Sequence, residues 1–385
     1  MQADVGVYVH VPWCERICPY CDFAVLRARE LSPEQERRYA DALATELAAR
    51  RTAFDGRRLA SLYLGGGTPS LLRADTLARI VESVRAAFPP AGDVEITLEV
   101  NPSTVERARL PDFRAAGVNR ISLGAQSFDD ATLKRLGRAH RADAIRATLD
   151  AIRKERFASL SLDLIFAAPG QSLPLLEADL DALIAAAPDH VSAYELTLEP
   201  GTPFGAPSAR ARLALPDEDA VAEMMLRVES RLADAGYARY EISSYARPGR
   251  ESVHNRRYWA RRPVLGLGMG AVSTDPPDAQ HAHGVRRANP RELAPYLADP
   301  AACGEVEVLE ARVARGEAMF LGLRTARGVD AARFAAEFGA PPRGFFASAI
   351  EALGSAGMLA EEESGDLRLT PRGRLLADSI FESFV

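Results

Sequence analysis

Along the first two-thirds of the chain, short runs that alternate apolar and polar residues are separated by longer stretches with apolar residues at helical spacing. Val5-Gly-Val-Tyr-Val-His-Val11 keeps a period of two and predicts a strand. Ser32-Pro33-Glu34-Gln35 reads as a capping box with proline in the first turn, and Tyr39, Leu43 and Leu47 continue it as a helix. Five further strands are expected over 61–64, 94–100, 121–126, 160–166 and 191–197, with helices over 71–87, 105–116, 142–154 and 174–186 between them. Six strands alternating with helices predict a parallel sheet of βα units, and right-handed crossovers curl such a sheet into a full or partial barrel.

A further helix is expected over 217–235. The segment 237–290 is rich in Gly, Pro, Arg and aromatic residues and shows no clear period. From about residue 306 the pattern changes. It reads as helices over 312–323, 329–338 and 344–356, a hairpin around Glu363-Ser-Gly-Asp366, and a last helix over 371–384, which together look like a winged-helix arrangement. The expected organisation is a barrel over 1–240, an irregular connection over 241–304 and a winged-helix-like α+β domain over 305–385.

At 385 residues the chain is long enough to bury a large core without disulfides or a structural metal. Hydrophobic residues make up 47% and charged residues 26%, which excludes a mainly disordered chain. The 47 basic and 53 acidic residues give a net charge of −6, the wrong sign for a chain-wide nucleic-acid surface. The winged-helix-like part repeats this bias, with 13 acids against 9 arginines from Glu305 onward, so no nucleic-acid partner is expected. No apolar run approaches the roughly 20 residues that span a bilayer, and no secretory leader opens the chain, so a cytoplasmic location is expected.

The candidate chemistry lies at the predicted C-terminal ends of the strands, where βα barrels carry their reactive groups. Cys14-Glu-Arg-Ile-Cys18-Pro-Tyr-Cys21 follows the first strand, while Cys303 stands alone. Three neighbouring thiolates suit a 4Fe–4S cluster with one iron left open. The alternative is zinc, with the fourth ligand supplied by a residue such as His10 or Asp22. Gly65-Gly66-Gly67-Thr68-Pro69 ends the second strand and fits neither common phosphate-loop pattern. It reads as a tight turn or as a place where a ligand meets backbone. Strand alternation turns Glu95, Thr97 and Glu99, then Ser122, Gly124 and Gln126, then Ser161 and Asp163 toward the barrel interior. Barrel interiors are normally filled by Val, Ile and Leu. A polar cluster there, with Arg138 as a candidate partner, points to a ligand site, and a structural salt-bridge network is the alternative.

Taken together these features resemble the radical S-adenosylmethionine (SAM) superfamily. The stretches Tyr8-Val-His-Val-Pro-Trp-Cys14, Gly65-Gly-Gly-Thr-Pro-Ser70, Glu99-Val-Asn-Pro102, Asn119-Arg-Ile-Ser-Leu-Gly-Ala-Gln-Ser-Phe128, Asp163-Leu-Ile165 and Leu369-Thr-Pro-Arg-Gly373 resemble the oxygen-independent coproporphyrinogen III oxidase family. The resemblance implies a radical SAM partial (β/α)6 TIM-like barrel. Cys14, Cys18 and Cys21 would be the cluster ligands, and Tyr8, Gly66 and Glu99 would contact the cluster-bound SAM. Tyr20, Gly67, Thr68, Gln126, Arg138 and Asp163 match positions that hold a second SAM in the oxidases. Two departures point away from the oxidases proper: position 23 is Phe where they carry a further cysteine, and their N-terminal extension is missing. Both point to a branch of heme chaperones, as does His254-Asn255-Arg-Arg-Tyr258-Trp259, whose histidine is that branch's candidate heme ligand. The resemblance therefore implies a chaperone that binds a 4Fe–4S cluster, SAM and heme and passes heme to acceptor hemoproteins, respiratory ones among them. A heme donor or iron-storage partner, a homodimer and a peripheral membrane contact are compatible with it. The alternative functions are oxidative decarboxylation of coproporphyrinogen III and a zinc-binding interaction module.

Overall fold

Strand β1 (Asp4–Val11) lies inside a twelve-stranded sheet because Val5, Val7, Val9 and Val11 all find cover and are fully buried. The computed structural model describes residues 4–210 and 212–385. From β1 the sheet runs through β2 (Arg58–Gly66), β3 (Pro90–Val100), β4 (Arg120–Gln126), β5 (Ser159–Phe166) and β6 (His190–Glu195), each parallel to the one before. Helices α1 (Pro33–Arg50), α2 (Ala74–Ala87), α3 (Thr104–Ala115), α4 (Ala142–Glu155) and α5 (Leu173–Ala185) make the crossovers, and α6 (Glu218–Asp234) follows β6. The expected capping box is present: Ser32 Oγ accepts from Gln35 N at 3.1 Å, and Gln35 Oε1 accepts from Ser32 N at 2.9 Å. The two edges of the sheet do not pair with each other, so the barrel is open. Its outer face and the helices share one core, in which Leu62, Leu64, Leu98, Ile121, Leu123, Leu162 and Leu164 are at most 0% exposed.

The segment expected to be irregular is more ordered than its sequence suggested. After helix α7 (Val253–Trp259), strand β8 (Val264–Leu267) pairs parallel to β1, and β9 (Val272–Asp275), β10 (Val285–Ala288) and β11 (Glu305–Val308) continue the sheet antiparallel. Toward the far edge β7 (Ser244–Ala246) pairs antiparallel to β6, and the two-residue strand Ala238–Arg239 pairs outside it. Four-residue strands broken by Gly and Pro carry too little period to be read. Here the sheet edge left by β1 supplies the order. Gly266 is part of the reason, since a Cβ there would come within 2.4 Å of the Val272 carbonyl.

The C-terminal part builds a separate core around Met319, Leu323, Phe334, Ile350, Leu367 and Ile380. Helices α8 (Ala311–Arg324), α9 (Ala331–Phe338) and α10 (Arg343–Ser355) precede a hairpin of Leu359–Glu361 with Leu367–Leu369. The last expected helix is broken at Leu376 into Pro371–Leu375 and Ala377–Phe381. Gly373 packs so tightly on the Met358 carbonyl that its first turn is fixed against the hairpin, while Ala377, Ile380 and Phe381 turn into the core. Among the described residues no helix is long and apolar enough to cross a membrane.

Candidate cofactor site

Strands β2 to β6 deliver polar side chains inward, as the alternation predicted for β3, β4 and β5. They line a cavity of about 540 Å³ at the C-terminal ends of the strands. The loop after β1 brings Cys14, Cys18 and Cys21 to its mouth, with Tyr20 behind them. All three cysteines are free and half-buried. Burial raises the Cys14 thiol to about 11 and raises Cys21 as well. The thiols have polar neighbours: Thr68 Oγ1 lies 3.6 Å from Cys14 Sγ, and Arg138 Nη1 lies 3.4 Å from Cys18 Sγ. Among the described residues no three His, Cys, Asp or Glu side chains close on a single-ion site. Cys303 is far from this loop, beside Arg50 at 3.4 Å.

The glycine turn forms the floor. Gly66 has φ +104°, and a Cβ there would strike the His10 ring at 2.5 Å; one at Gly67 would strike the Trp13 carbonyl at 2.7 Å. The turn therefore lies against the cysteine loop with no room for side chains, leaving backbone to face the cavity. Glu99 accepts from Tyr63 Oη at 2.8 Å and from Gly66 N at 3.1 Å. Burial raises its carboxyl to about 7, with Asp163 adding to the rise and the Tyr63 and Gly66 bonds opposing it. Asp163 accepts from Ser122 Oγ at 3.2 Å and is raised to about 6, again chiefly by burial. Gln126 ends β4 in left-handed backbone at φ +67°, a strained placement that turns its amide to the cavity.

Arg138 ties the site together. It donates to Asn101 Oδ1 at 2.5 Å and to the Gly124 carbonyl at 3.2 Å, and Asn101 donates to Thr68 Oγ1 at 2.8 Å. Its Nε is buried and has no acceptor. A cationic group with a spare donor, two buried carboxylates raised by burial, a bare backbone turn and three thiols fit a cluster with a small zwitterionic, cationic ligand.

The structure thus brings eleven of the thirteen predicted residues around one cavity and leaves two outside its lining. Tyr8 bonds through Oη to His10 Nδ1 at 3.1 Å and faces a neighbouring cleft. His254 is sealed inside the barrel at 1% exposure. Its Nδ1 bonds Ser61 Oγ at 3.0 Å, its Nε2 bonds Tyr258 Oη at 3.2 Å, and its ring packs on Tyr63 at 5.2 Å. Neither nitrogen is free for a metal unless α7 moves. Burial, with Arg257 second, lowers this imidazole to about 3, so it is neutral.

Sequence reasoning missed several members. Tyr63 and Asn101 lie on the inward phase of strands already read, so the period of two could have found them. Glu95 was seen as inward-facing, but not that it accepts from Val253 N at 3.2 Å and His254 N at 3.1 Å and so anchors the start of α7. No local pattern in the sequence signals that contact across 159 residues.

With the geometry described, comparison with known proteins places it. The profile of the Radical SAM superfamily matches residues 8–183, and that of the HemN C-terminal domain matches 309–376. The chain is 33% identical over 385 residues to the heme chaperone HemW of Bacillus subtilis (strain 168), covering 99% of each. It is 40% identical over 267 residues to the heme chaperone HemW of Escherichia coli (strain K12), covering 69% of each. Among solved structures it resembles coproporphyrinogen III oxidase HemN from Escherichia coli, described as a radical SAM enzyme, with a TM-score of 0.84 and 24% identity. The match covers 100% of this chain and 90% of that one, a likeness of fold.

Proposed function

The chain belongs to the heme chaperone HemW family within the radical SAM superfamily, and from that premise we propose that it binds a 4Fe–4S cluster, SAM and heme and hands the heme to hemoproteins. The observation that carries the cofactor half of this reading is the single cavity in which three free thiols meet the Gly66 turn, Glu99 and the spare donor of Arg138. Cys14, Cys18 and Cys21 would hold the cluster, which when bound supplies an iron with an open position and an electron at low potential. Gly66 N–H and Glu99 would receive the amino and carboxylate end of SAM. Tyr20, Gly67, Thr68, Gln126, Arg138 and Asp163 would line the rest of that ligand or a second one.

His254, expected as the axial heme ligand, would serve only after both its hydrogen bonds break. In the structure it supports Ser61, Tyr63 and Tyr258 instead. The proposed partners are heme and its acceptors, respiratory hemoproteins among them, with a cytoplasmic location, a heme donor or iron-storage partner, a homodimer and a peripheral membrane contact as finer proposals.

The test is one anaerobic preparation assayed three ways. Iron and acid-labile sulfide should appear in cluster stoichiometry, and hemin should bind with a defined Soret band. Coproporphyrinogen III with SAM and a reductant should give no protoporphyrinogen. Turnover of coproporphyrinogen without hemin binding would sink the chaperone reading and leave the oxidase. Zinc without sulfide would sink both.

A further inference from the structure

Beside the thiol cavity lies a second cleft of about 550 Å³, between the β8–β10 side of the sheet and the C-terminal core. That volume falls in the range of roughly 300–1,000 Å³ usual for small-molecule sites. The two cavities share Asp22 and Phe23 as a common wall, so the cleft begins where the cysteine loop ends. Its lining combines flat apolar surface with cations. Phe23 is 66% exposed there and Val272 43%, and Trp259 and Phe320 lie deeper. The indole N–H of Trp259 is buried and has no acceptor. Arg262, half-buried, lies 3.6 Å from Asp4, and the exposed Arg291 donates to the Asp22 carbonyl at 2.6 Å while standing 3.8 Å from its carboxylate, so each keeps donors for an incoming anion.

The six histidines of the chain can be compared one by one. His10 uses both ring nitrogens, on Tyr8 Oη and the Ala24 carbonyl. His190 does so on Ser161 and Tyr240, and His254 on Ser61 and Tyr258. His140 bonds the Ala125 carbonyl, and His281 bonds Asp278. Among the described residues His283 alone has no hydrogen bond on either nitrogen. It lines the cleft, half-buried, with its ring 5.5 Å from that of Phe338.

We propose that heme docks in this cleft with His283 as its axial ligand and with Arg262 and Arg291 receiving its propionates. The identity of the cargo rests on the chaperone reading, whereas the placement rests on the cleft. A porphyrin needs apolar faces, an imidazole nitrogen not already engaged in a hydrogen bond, and cations at one edge. The cleft offers all three, and the thiol cavity offers an imidazole on none of its walls except the fully bonded His190. The Tyr258 and Trp259 end of α7 also lines the cleft, so the same helix that seals His254 inside presents its aromatic end to the cargo.

The experiment is a hemin titration of the full chain with its cluster reconstituted, read by Soret absorbance. His283→Ala should weaken binding by roughly tenfold or more and alter the Soret band, and added free imidazole should restore the wild-type spectrum. Arg291→Glu should weaken binding without changing the band, since it touches only a propionate. His254→Ala, where it folds, should keep the wild-type band. A His283→Ala protein with wild-type affinity and spectrum, or loss of the band in His254→Ala alone, overturns the placement. His283 makes only a ring contact, so unchanged melting of His283→Ala is the expected control, and His283→Gln repeats the test should alanine lower the melting temperature. Wild-type protein that takes up no hemin refutes the chaperone reading itself, an outcome distinct from a misplaced ligand.

Discussion

The two cavities that meet at Phe23 are built by opposite means. In the thiol cavity the polar groups come from successive strands and are tied to one another: Tyr63 to Glu99, Ser122 to Asp163, Arg138 to Asn101, Asn101 to Thr68. In the cleft they come from elements far apart in the chain; Arg261 pairs with Glu337 and Arg286 with Glu317, the outer Arg262 stands 3.6 Å from Asp4, and His283 makes no hydrogen bond among the described residues. A network fixed by strand register suits a resident cofactor, because its geometry is paid before the ligand arrives. Exposed apolar side chains and an unbonded imidazole suit a ligand that must also leave.

The sharpest way to break the comparison is to empty the first cavity. Cys14→Ala, Cys18→Ala or Cys21→Ala should each remove essentially all cluster iron, seen as lost sulfide and bleached visible absorbance, because no other thiol lies near. Cys303→Ala should keep the cluster, since its Sγ sits beside Arg50 in another part of the chain. If Cys303→Ala loses iron as fully as Cys18→Ala, the cavity does not hold the cluster.

Next in size is the stability carried by His254. Removing a fully buried ring leaves Ser61 and Tyr258 unpaired and a void beside Tyr63, so His254→Ala should cost on the order of 3 kcal/mol in denaturant unfolding. The pH dependence has a definite sign. The folded imidazole is held near 3 and the unfolded one titrates near 6.5, so the unfolded chain binds the extra proton between those values. The stability contributed by neutral His254 is therefore complete above about 6.5 and is lost as pH falls toward 3. His254→Asn should flatten that slope, while His190 and His140, both also lowered chiefly by burial, keep part of it. A wild-type slope in His254→Asn would mean the ring is not sealed as described.

Glu99→Gln separates binding from folding. Its carboxyl is raised to about 7, so the folded state favours the protonated form and the wild type loses stability as pH climbs from about 4.5 to about 7. At pH 8 the glutamine variant should melt no lower than the wild type, yet bind SAM several-fold more weakly, since a charge facing a cationic ligand is gone. A collapsed melting temperature with unchanged SAM affinity in calorimetry would make Glu99 a structural residue.

How much of this could be read in advance differs between the two cavities, for the same reason that they differ in construction. The barrel was legible because β1 and β3 to β5 repeat a period of two over at least six residues, and the alternation with helices carried the shorter second strand. That period also turned Glu99, Gln126 and Asp163 inward before any contact was known. The cleft was not legible, because β8, β9 and β10 are four residues each and owe their order to pairing with β1 and with each other. His254 stood out in the sequence through its neighbours, but burial is a property of the fold, and nothing in the His-Asn-x-x-Tyr-Trp run says which side chain points inward. His283 gave no sequence signal at all, since a free imidazole is defined by the partners it lacks.

The smallest effect tests whether the cavities are mechanically joined. Helix α7 touches both: Asn255 lines the thiol cavity, and Trp259 lines the cleft. Its first turn is anchored by Glu95, which accepts from two backbone N–H groups at 3.1–3.2 Å and lies 4.0 Å from Arg120. Glu95→Gln keeps an acceptor but removes the charge that favours a helix N-terminus, so about 1 kcal/mol of stability should be lost. If α7 is the shared strut, SAM and hemin affinities should both fall, each by less than roughly threefold, because the helix is loosened and neither ligand's own contacts are removed. A fall in SAM affinity with hemin binding untouched would show that the cleft is held by the sheet and the C-terminal core alone, and that the two cavities share a wall at Phe23 but no moving part.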